Sequence, residues 1–248
     1  TLGLSSAASD VYKRQQLGFR SHYFKTSSSS DVSNLAVGPV QANTSSSANG
    51  SSENLSAGET AQYATSSSGL SNLAKAGLIN KCDGNSSGCQ AKTLTREEAA
   101  AIVTVIGGIP QDSPNAYSDD DQSIYQTAIN GLPYYGMQVC FGSPFEILPK
   151  ETVARDEFAC LIVRSIKAGS TTNLSGSVDK YSDEGASKWT NEINTLAAND
   201  VIPACSSISD KFCPSRKISI GEVSYIVDKL VSKSLISTNL FNASPFNN

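Results

Sequence analysis

The chain has 248 residues, of which 39% are hydrophobic and 17% charged, and its formal net charge is −4. This balance argues against a nucleic-acid-binding protein, because such proteins concentrate Lys and Arg in a stripe that meets the phosphates, and no such stripe is present. No apolar run approaches the ~18–20 residues that a membrane-spanning helix needs, so we expect no membrane span.

The first part of the chain is not expected to fold. Residues 5–15 resemble a translated sequencing adapter, so we expect residues 1–15 to be an adapter artefact that takes no part in the fold. Residues 16–57 are rich in Ser, Asn, Ala, Thr and Gly. Such a composition cannot bury enough apolar surface to offset the entropy lost on ordering. We therefore predict a disordered, Ser-rich linker over 16–57.

A repeated pattern follows the linker. Tyr117-Ser118-Asp119 returns later as Tyr181-Ser182-Asp183, and the same offset pairs Tyr125 with Trp189. Each copy consists of an amphipathic helix, a turn-rich loop and a second helix, and is too small to bury its own apolar stripe. The repeat predicts an all-α domain of three tandem helix-loop-helix units. Their bounds are 58–110 (a degenerate copy), 115–169 and 179–234, with a C-terminal tail at 235–248.

The second helix of each unit has a recognisable start. In a capping box, a Ser or Thr side chain accepts from a backbone N–H three residues on, and a Glu there bonds back to the N–H of the cap. Two units have this pattern, whereas the second unit has Ala154 at the cap position and keeps only the Glu. The residues expected to cap these helices are Thr95, Glu98, Glu157, Ser219 and Glu222.

Six cysteines fall within the three units, one pair in each: Cys82 and Cys89, Cys140 and Cys160, Cys205 and Cys213. An even count in this distribution predicts three local disulfides and an oxidising compartment outside the cell. Free buried thiols are the alternative, and the spacing alone leaves the connectivity open. A metal site is not expected, because there is no Cys-x-x-Cys and the one histidine, His22, lies outside the repeats.

In these features the chain resembles S-layer homology modules over about residues 58–234. The resemblance rests on the Tyr-Ser-Asp starts, an aromatic residue in the first helix, Gly136-Met137, Phe212-Cys213-Pro214 and the helix starts Thr95-Arg96-Glu97-Glu98 and Ala154-Arg155-Asp156-Glu157. It implies three modules in a pseudo-threefold helical bundle. It also implies that the domain docks a secreted protein without covalent bonds onto a cell-wall-linked polysaccharide, often one with anionic ketal groups.

The resemblance also implies a binding site in the grooves between modules. The residues expected to contact polysaccharide are Arg96, Arg155, Asp119, Asp183, Tyr125 and Trp189. An arginine in the first turn of a helix adds its charge to the positive end of the helix dipole, which favours an anionic sugar. In the third unit Ile220 replaces this arginine. The alternatives are solvated arginines, aspartates that cap the first helix, and aromatic residues packed in the core.

Anchoring to the cell surface is therefore the leading functional hypothesis. The alternative is a structural subunit of an extracellular layer or filament, which would bind other copies of itself. We expect no enzyme, no catalytic residue and no cofactor, since the single histidine lies outside the repeats and excludes the usual Ser-His-Asp or Cys-His arrangements there. The adjacent acids Asp119 to Asp121 are expected to be solvated in a turn.

Overall fold

The computed structural model describes residues 67–79, 87–110, 114–142, 146–169, 174–205 and 210–246. All of them belong to the unit Ser52–Asn248. The predicted artefact at 1–15 and the predicted linker at 16–57 lie outside the described residues, as does the beginning of the first repeat.

The described part of the chain is helical, as the all-α prediction requires, and contains no β-strand. The α-helices in chain order are α1 (Ser67–Lys75), α2 (Ser87–Gln90), α3 (Arg96–Gly107), α4 (Gln126–Gly131), α5 (Arg155–Gly169), α6 (Thr190–Ala198), α7 (Ile220–Ser232) and α8 (Asn239–Asn242). Three 3₁₀ helices cover Leu132–Tyr135, Met137–Phe141 and Glu184–Ala186.

The longer helices pack in pairs around a continuous apolar core. Helix α1 lies against α7, α3 against α5, and α5 against α6. Two of these contacts bring backbones close together: a Cβ added at Gly69 would lie 1.9 Å from the Ser224 carbonyl oxygen, and one added at Gly169 would lie 1.6 Å from the Gly107 oxygen. Glycine is therefore required at both crossings, because any side chain would force the helices apart.

Three chain segments, each leading into one of the helices α3, α5 and α7, form a closed ring of backbone hydrogen bonds. The Leu94 N–H donates to Ile218 O at 3.0 Å, the Val153 N–H to Leu94 O at 2.9 Å, and the Ile218 N–H to Val153 O at 3.0 Å. All three side chains are fully buried. Each of the three residues donates one backbone hydrogen bond and accepts one, so the three segments have equivalent positions in the ring.

A second set of three hydrogen bonds joins the segments in the opposite direction; each donor lies two residues after, and each acceptor two residues before, the residue that its segment contributes to the ring. The Arg96 N–H donates to Glu151 O at 2.8 Å, the Arg155 N–H to Arg216 O at 2.9 Å, and the Ile220 N–H to Lys92 O at 2.8 Å. These three donors belong to the first residues of α3, α5 and α7, whose N–H groups have no partner within their own helix. The second set of bonds satisfies these N–H groups, and both sets hold the three helix starts together.

The predicted caps are present. Thr95 with Glu98 and Ser219 with Glu222 form complete capping boxes at the starts of α3 and α7. At α5, where Ala154 has no side-chain acceptor, the Glu157 carboxylate accepts the Ala154 N–H at 2.8 Å.

Two of the three predicted disulfides are present, Cys140–Cys160 and Cys205–Cys213, each with a Cα–Cα distance of 5.8 Å. The predicted pair of Cys82 with Cys89 cannot be followed, because Cys82 lies outside the described residues. Two disulfides are compatible with an extracellular location. Among the described helices, none combines the length and the apolar character needed to cross a bilayer.

Candidate functional site

Arg155, expected to meet a ligand at the start of α5, is instead fully buried. Its Nε donates to Phe212 O at 2.8 Å and its Nη2 to Pro203 O at 2.6 Å, while Nη1 pairs with the Glu222 carboxylate. The guanidinium carbon also lies 4.7 Å from the centre of the Phe212 ring. The expectation of an exposed arginine is wrong at this position, because internal acceptors and a carboxylate take up the donors that a ligand would need.

Glu222 is the centre of this buried cluster. Its Oε1 contacts both Arg155 and Arg216, and its Oε2 accepts the Ser219 N–H at 3.0 Å in the capping box. The side chains of Arg155 and Glu222 are both completely buried. One carboxylate therefore caps α7 and neutralises cations in the interior.

Arg96 occupies the equivalent place at the start of α3. Its Nη1 donates to Ile147 O at 3.1 Å and its Nη2 to Glu157 Oε1 at 3.2 Å, with 14% of the side chain exposed. Each arginine thus pairs with the capping glutamate of the next helix start. The third start has Ile220, which is buried, so the pattern of ion pairs does not close into a ring.

The two predicted aspartates hold loops in place. Asp119 accepts the N–H groups of Ile147 and Leu148 at 3.1 and 2.7 Å. Asp183 accepts those of Phe212 and Cys213 at 2.6 and 2.9 Å. Neither side chain forms the predicted alternative, a capping hydrogen bond on a following helix. Tyr125 and Trp189 occupy the N-cap positions of α4 and α6, and Asp183 occupies that of the 3₁₀ helix Glu184–Ala186 without a side-chain bond. The aspartates fix the carbonyls of Ile147 and Phe212, which receive the two arginines.

The two predicted aromatic residues differ in their surroundings. Tyr125 is buried, donates its hydroxyl to Gly77 O at 3.2 Å, and meets the edge of the Phe246 ring at 5.3 Å between ring centres. Burial raises the pKa of Tyr125 to about 12, so the hydroxyl keeps the proton that it donates. Trp189 is half-buried, with the Arg164 guanidinium 5.4 Å and the Lys188 ammonium 4.9 Å from its ring centre.

Sequence reasoning missed Arg164 and Lys188. Arg164 lies in the third turn of α5, outside every motif, and only the packing of α5 against α6 brings it to Trp189. Lys188 precedes Trp189 in the chain, so a basic residue beside the motif aromatic was a signal that could have been used. Together they place two cations beside the Trp189 ring.

Asp120 is a carboxyl group buried in a turn that was expected to be solvated. Its Oδ1 accepts from Gln126 Nε2 at 3.5 Å, and its Oδ2 has no hydrogen-bond partner within the described structure. Burial is the main reason that the pKa of Asp120 is raised above its usual value, since a charge is costly away from water.

This burial predicts a pH-dependent gain from the Asp120→Asn substitution. Because the folded protein binds the Asp120 proton more tightly than the unfolded chain, stability from this group is present at low pH. It falls as the pH rises from the usual value of 3.8 through the raised pKa. We expect the variant to be more stable than the parent at neutral pH, by about 1 kcal/mol, and to lose this advantage below pH 3.8. Urea unfolding of the parent and the variant at neutral pH and below pH 3.8 measures the difference in stability. An equal difference under the two conditions would contradict the burial of an ionisable Asp120.

A scan of the chain against models of protein families found no match, and a search of curated proteins found no similar sequence.

Proposed function

We propose that the helical domain is an anchoring module that binds an anionic, cell-wall-linked polysaccharide and thereby holds a secreted protein at the cell surface. The observation that carries the proposal is the closed ring formed by Leu94, Val153 and Ile218. Three equivalent helix starts that meet at one axis are what a pseudo-threefold set of S-layer homology modules would produce.

Further observations support this proposal. The matching roles of Asp119 and Asp183, and of Arg96 and Arg155, extend the equivalence from the backbone to the side chains that the sequence motif contains. The two disulfides suit a protein that works in an oxidising environment. The motif arginines act as structural ion pairs, so contact with the polysaccharide falls to other side chains.

The test is co-sedimentation of the full chain with purified cell-wall sacculi of the source organism. The matched control is the same preparation after hydrofluoric acid has removed the wall-linked polysaccharide. We expect the protein to pellet with the untreated sacculi and to stay in the supernatant with the treated ones. Equal pelleting with both would contradict the proposal. Ordered polymers formed without any polysaccharide would favour the alternative, a layer or filament subunit.

A further inference from the structure

We propose that Glu184, Asp179 and Asn194 form a binding site for a calcium ion at the start of the third unit. The three residues belong to the 3₁₀ helix Glu184–Ala186, to the segment before it and to α6. The site goes beyond the proposed anchoring function and does not depend on it. It revises the expectation of no metal site, which rested on the lack of a Cys and His pattern, because its ligands are oxygen atoms.

Glu184 has a buried carboxylate with one unused oxygen. The residue is only 3% exposed. Its Oε2 accepts the Tyr181 N–H at 3.4 Å, whereas its Oε1 has no hydrogen-bond partner among the described residues. None of the ion pairs within the described part of the chain includes Glu184. A buried carboxylate oxygen is costly without a partner, and a proton, a water molecule or a cation is needed to satisfy it.

A second carboxylate and an amide face the same carboxylate. The side chains of Asp179 and Asn194 both lie within hydrogen-bonding reach of Glu184, and burial together with Asp179 raises the pKa of Glu184. The Asn194 Oδ1 has no partner in the described structure either. Because Oδ1 and Nδ2 exchange places when the amide makes a half-turn, Asn194 can offer Oδ1 to a cation. A cation between the two carboxylates would remove their repulsion.

The chain segments that carry these ligands are already held together. The Val178 N–H donates to Asn194 O at 3.2 Å, which places the segment before the 3₁₀ helix against α6. The Thr190 hydroxyl donates to Glu184 O at 2.9 Å, which ties the 3₁₀ helix to the first turn of α6. An ion would therefore meet ligands on a prepared backbone. Asp179 is exposed, so the ion can enter from solvent.

The equivalent place in the second unit lacks this combination. The offset that aligns the two Tyr-Ser-Asp motifs puts Asn115, Asp120 and Asn130 there, and only one of them is a carboxylate. The Asn130 Oδ1 accepts the Ala116 N–H at 2.8 Å, and the Asn115 Oδ1 accepts the Tyr117 N–H at 3.3 Å. Both amide oxygens are thus used within the chain. The inference is therefore for one site, in the third unit.

The chemistry of the ligands selects calcium. Ca²⁺ accepts carboxylate and amide oxygens in a flexible geometry that water completes, whereas Mg²⁺ needs a near-ideal octahedron and loses its water reluctantly. No group of three or more His, Cys, Asp or Glu side chains in the described structure could hold a metal ion, so the site has only two carboxylates. We expect a dissociation constant on the order of 10⁻⁴–10⁻³ M, as in extracellular calcium-binding modules.

Calorimetric titration of the full chain with calcium chloride tests the site. The chain is first freed of metal with EDTA, and the ionic strength is held constant so that screening of the other carboxylates does not change. We expect saturable binding of Ca²⁺ and at least about tenfold weaker binding of Mg²⁺. Absence of saturable binding, or equal affinity for the two ions, would overturn the proposal and leave a proton or a water molecule as the partner of Glu184.

Two substitutions matched through the repeat test the ligands. Asp179→Asn gives the third unit the residue that the second unit has at this position, and should weaken Ca²⁺ binding by at least about tenfold. Asp120→Asn neutralises the carboxyl group equivalent to Glu184 and should bind Ca²⁺ as the parent does. Asp179 is exposed, so its substitution should not impair folding, which circular dichroism verifies. Equal affinities of the two variants would overturn the assignment to the third unit.

Proteolysis gives a second measurement at the same place. Lys180 is exposed and follows Asp179 in the chain, so a lysine-specific protease can cleave after it when the segment opens locally. Calcium should slow this cleavage in the parent, because the bound ion ties the segment to α6, and should leave the rate unchanged in Asp179→Asn. If Ca²⁺ binds to the parent but does not slow the cleavage, the ion lies elsewhere and the proposed site is wrong.

Discussion

Replacing Glu222 with glutamine should lower the free energy of unfolding by about 3–5 kcal/mol, the usual cost of removing one partner of a buried ion pair. Glutamine keeps the shape of the side chain and can still accept the Ser219 N–H, but it removes the negative charge. Arg155, fully buried, and Arg216, with 13% of its side chain exposed, would then face each other in the interior without their shared carboxylate.

Glu157→Gln is the matched control for this substitution. Glu157 has the same position in the cap of α5 and pairs with Arg96, but both side chains reach solvent, with 17% and 14% exposed. Because water can solvate part of the Arg96 charge, we expect the free energy of unfolding to fall by only about 1 kcal/mol. Urea unfolding of the two variants gives the comparison. An equal loss of stability in the two variants would mean that the burial of Arg155 does not increase the cost of removing its ion-pair partner.

Removal of the Cys140–Cys160 disulfide should cost about 3 kcal/mol through the added entropy of the unfolded chain, because the bond joins residues 20 positions apart. Both cysteines are fully buried, and the bond ties the 3₁₀ helix Met137–Phe141 to α5. Substitution of both residues with alanine, followed by urea unfolding, measures the effect. A loss below about 1 kcal/mol would contradict it.

Removal of the Cys205–Cys213 disulfide can be compared with removal of Cys140–Cys160. The Cys205–Cys213 bond joins residues 8 positions apart, so its loop entropy predicts a smaller loss of about 2.5 kcal/mol. Its two cysteines, however, are close in sequence to Pro203 and Phe212, whose carbonyl oxygens both accept hydrogen bonds from Arg155.

Combination with Glu222→Gln separates the two disulfides. Loss of Cys205–Cys213 and the Glu222 substitution both loosen the surroundings of Arg155, so their effects should not add. Loss of Cys140–Cys160, whose cysteines are remote in sequence from Pro203, Phe212 and Glu222, should add to the Glu222 effect within about 0.5 kcal/mol. Additivity in both combinations would contradict a role for the Cys205–Cys213 loop in holding Arg155.

Features encoded by neighbouring residues were predicted well from the sequence. The capping boxes depend on residues three positions apart, and each of the two described disulfides joins two cysteines of its own unit. The burial of Arg155 depends on distant residues: Pro203, Phe212 and Glu222 lie 48, 57 and 67 positions away. A local motif indicates that an arginine begins a helix, but it contains no information on which carboxylate the fold brings to it.

The same limit applies to the aromatic residues. The repeat identified Tyr125 and Trp189 as equivalent, and they do take equivalent N-cap positions. Their exposure differs because Phe246, from a tail to which the sequence assigned no role, covers one of them, while Arg164 from α5 flanks the other. Equivalence in sequence therefore predicted the backbone and not the surroundings that decide whether a side chain can bind a ligand.

Native-state hydrogen exchange of the Leu94, Val153 and Ile218 amides tests the ring of three helix starts most directly. If the three bonds form one closed and buried unit, all three amides should exchange only through global unfolding, with the same free energy as urea unfolding gives. An amide among the three that exchanges through local opening, at a much lower free energy than the other two, would show that the ring is not closed and would remove the observation that supports the anchoring function.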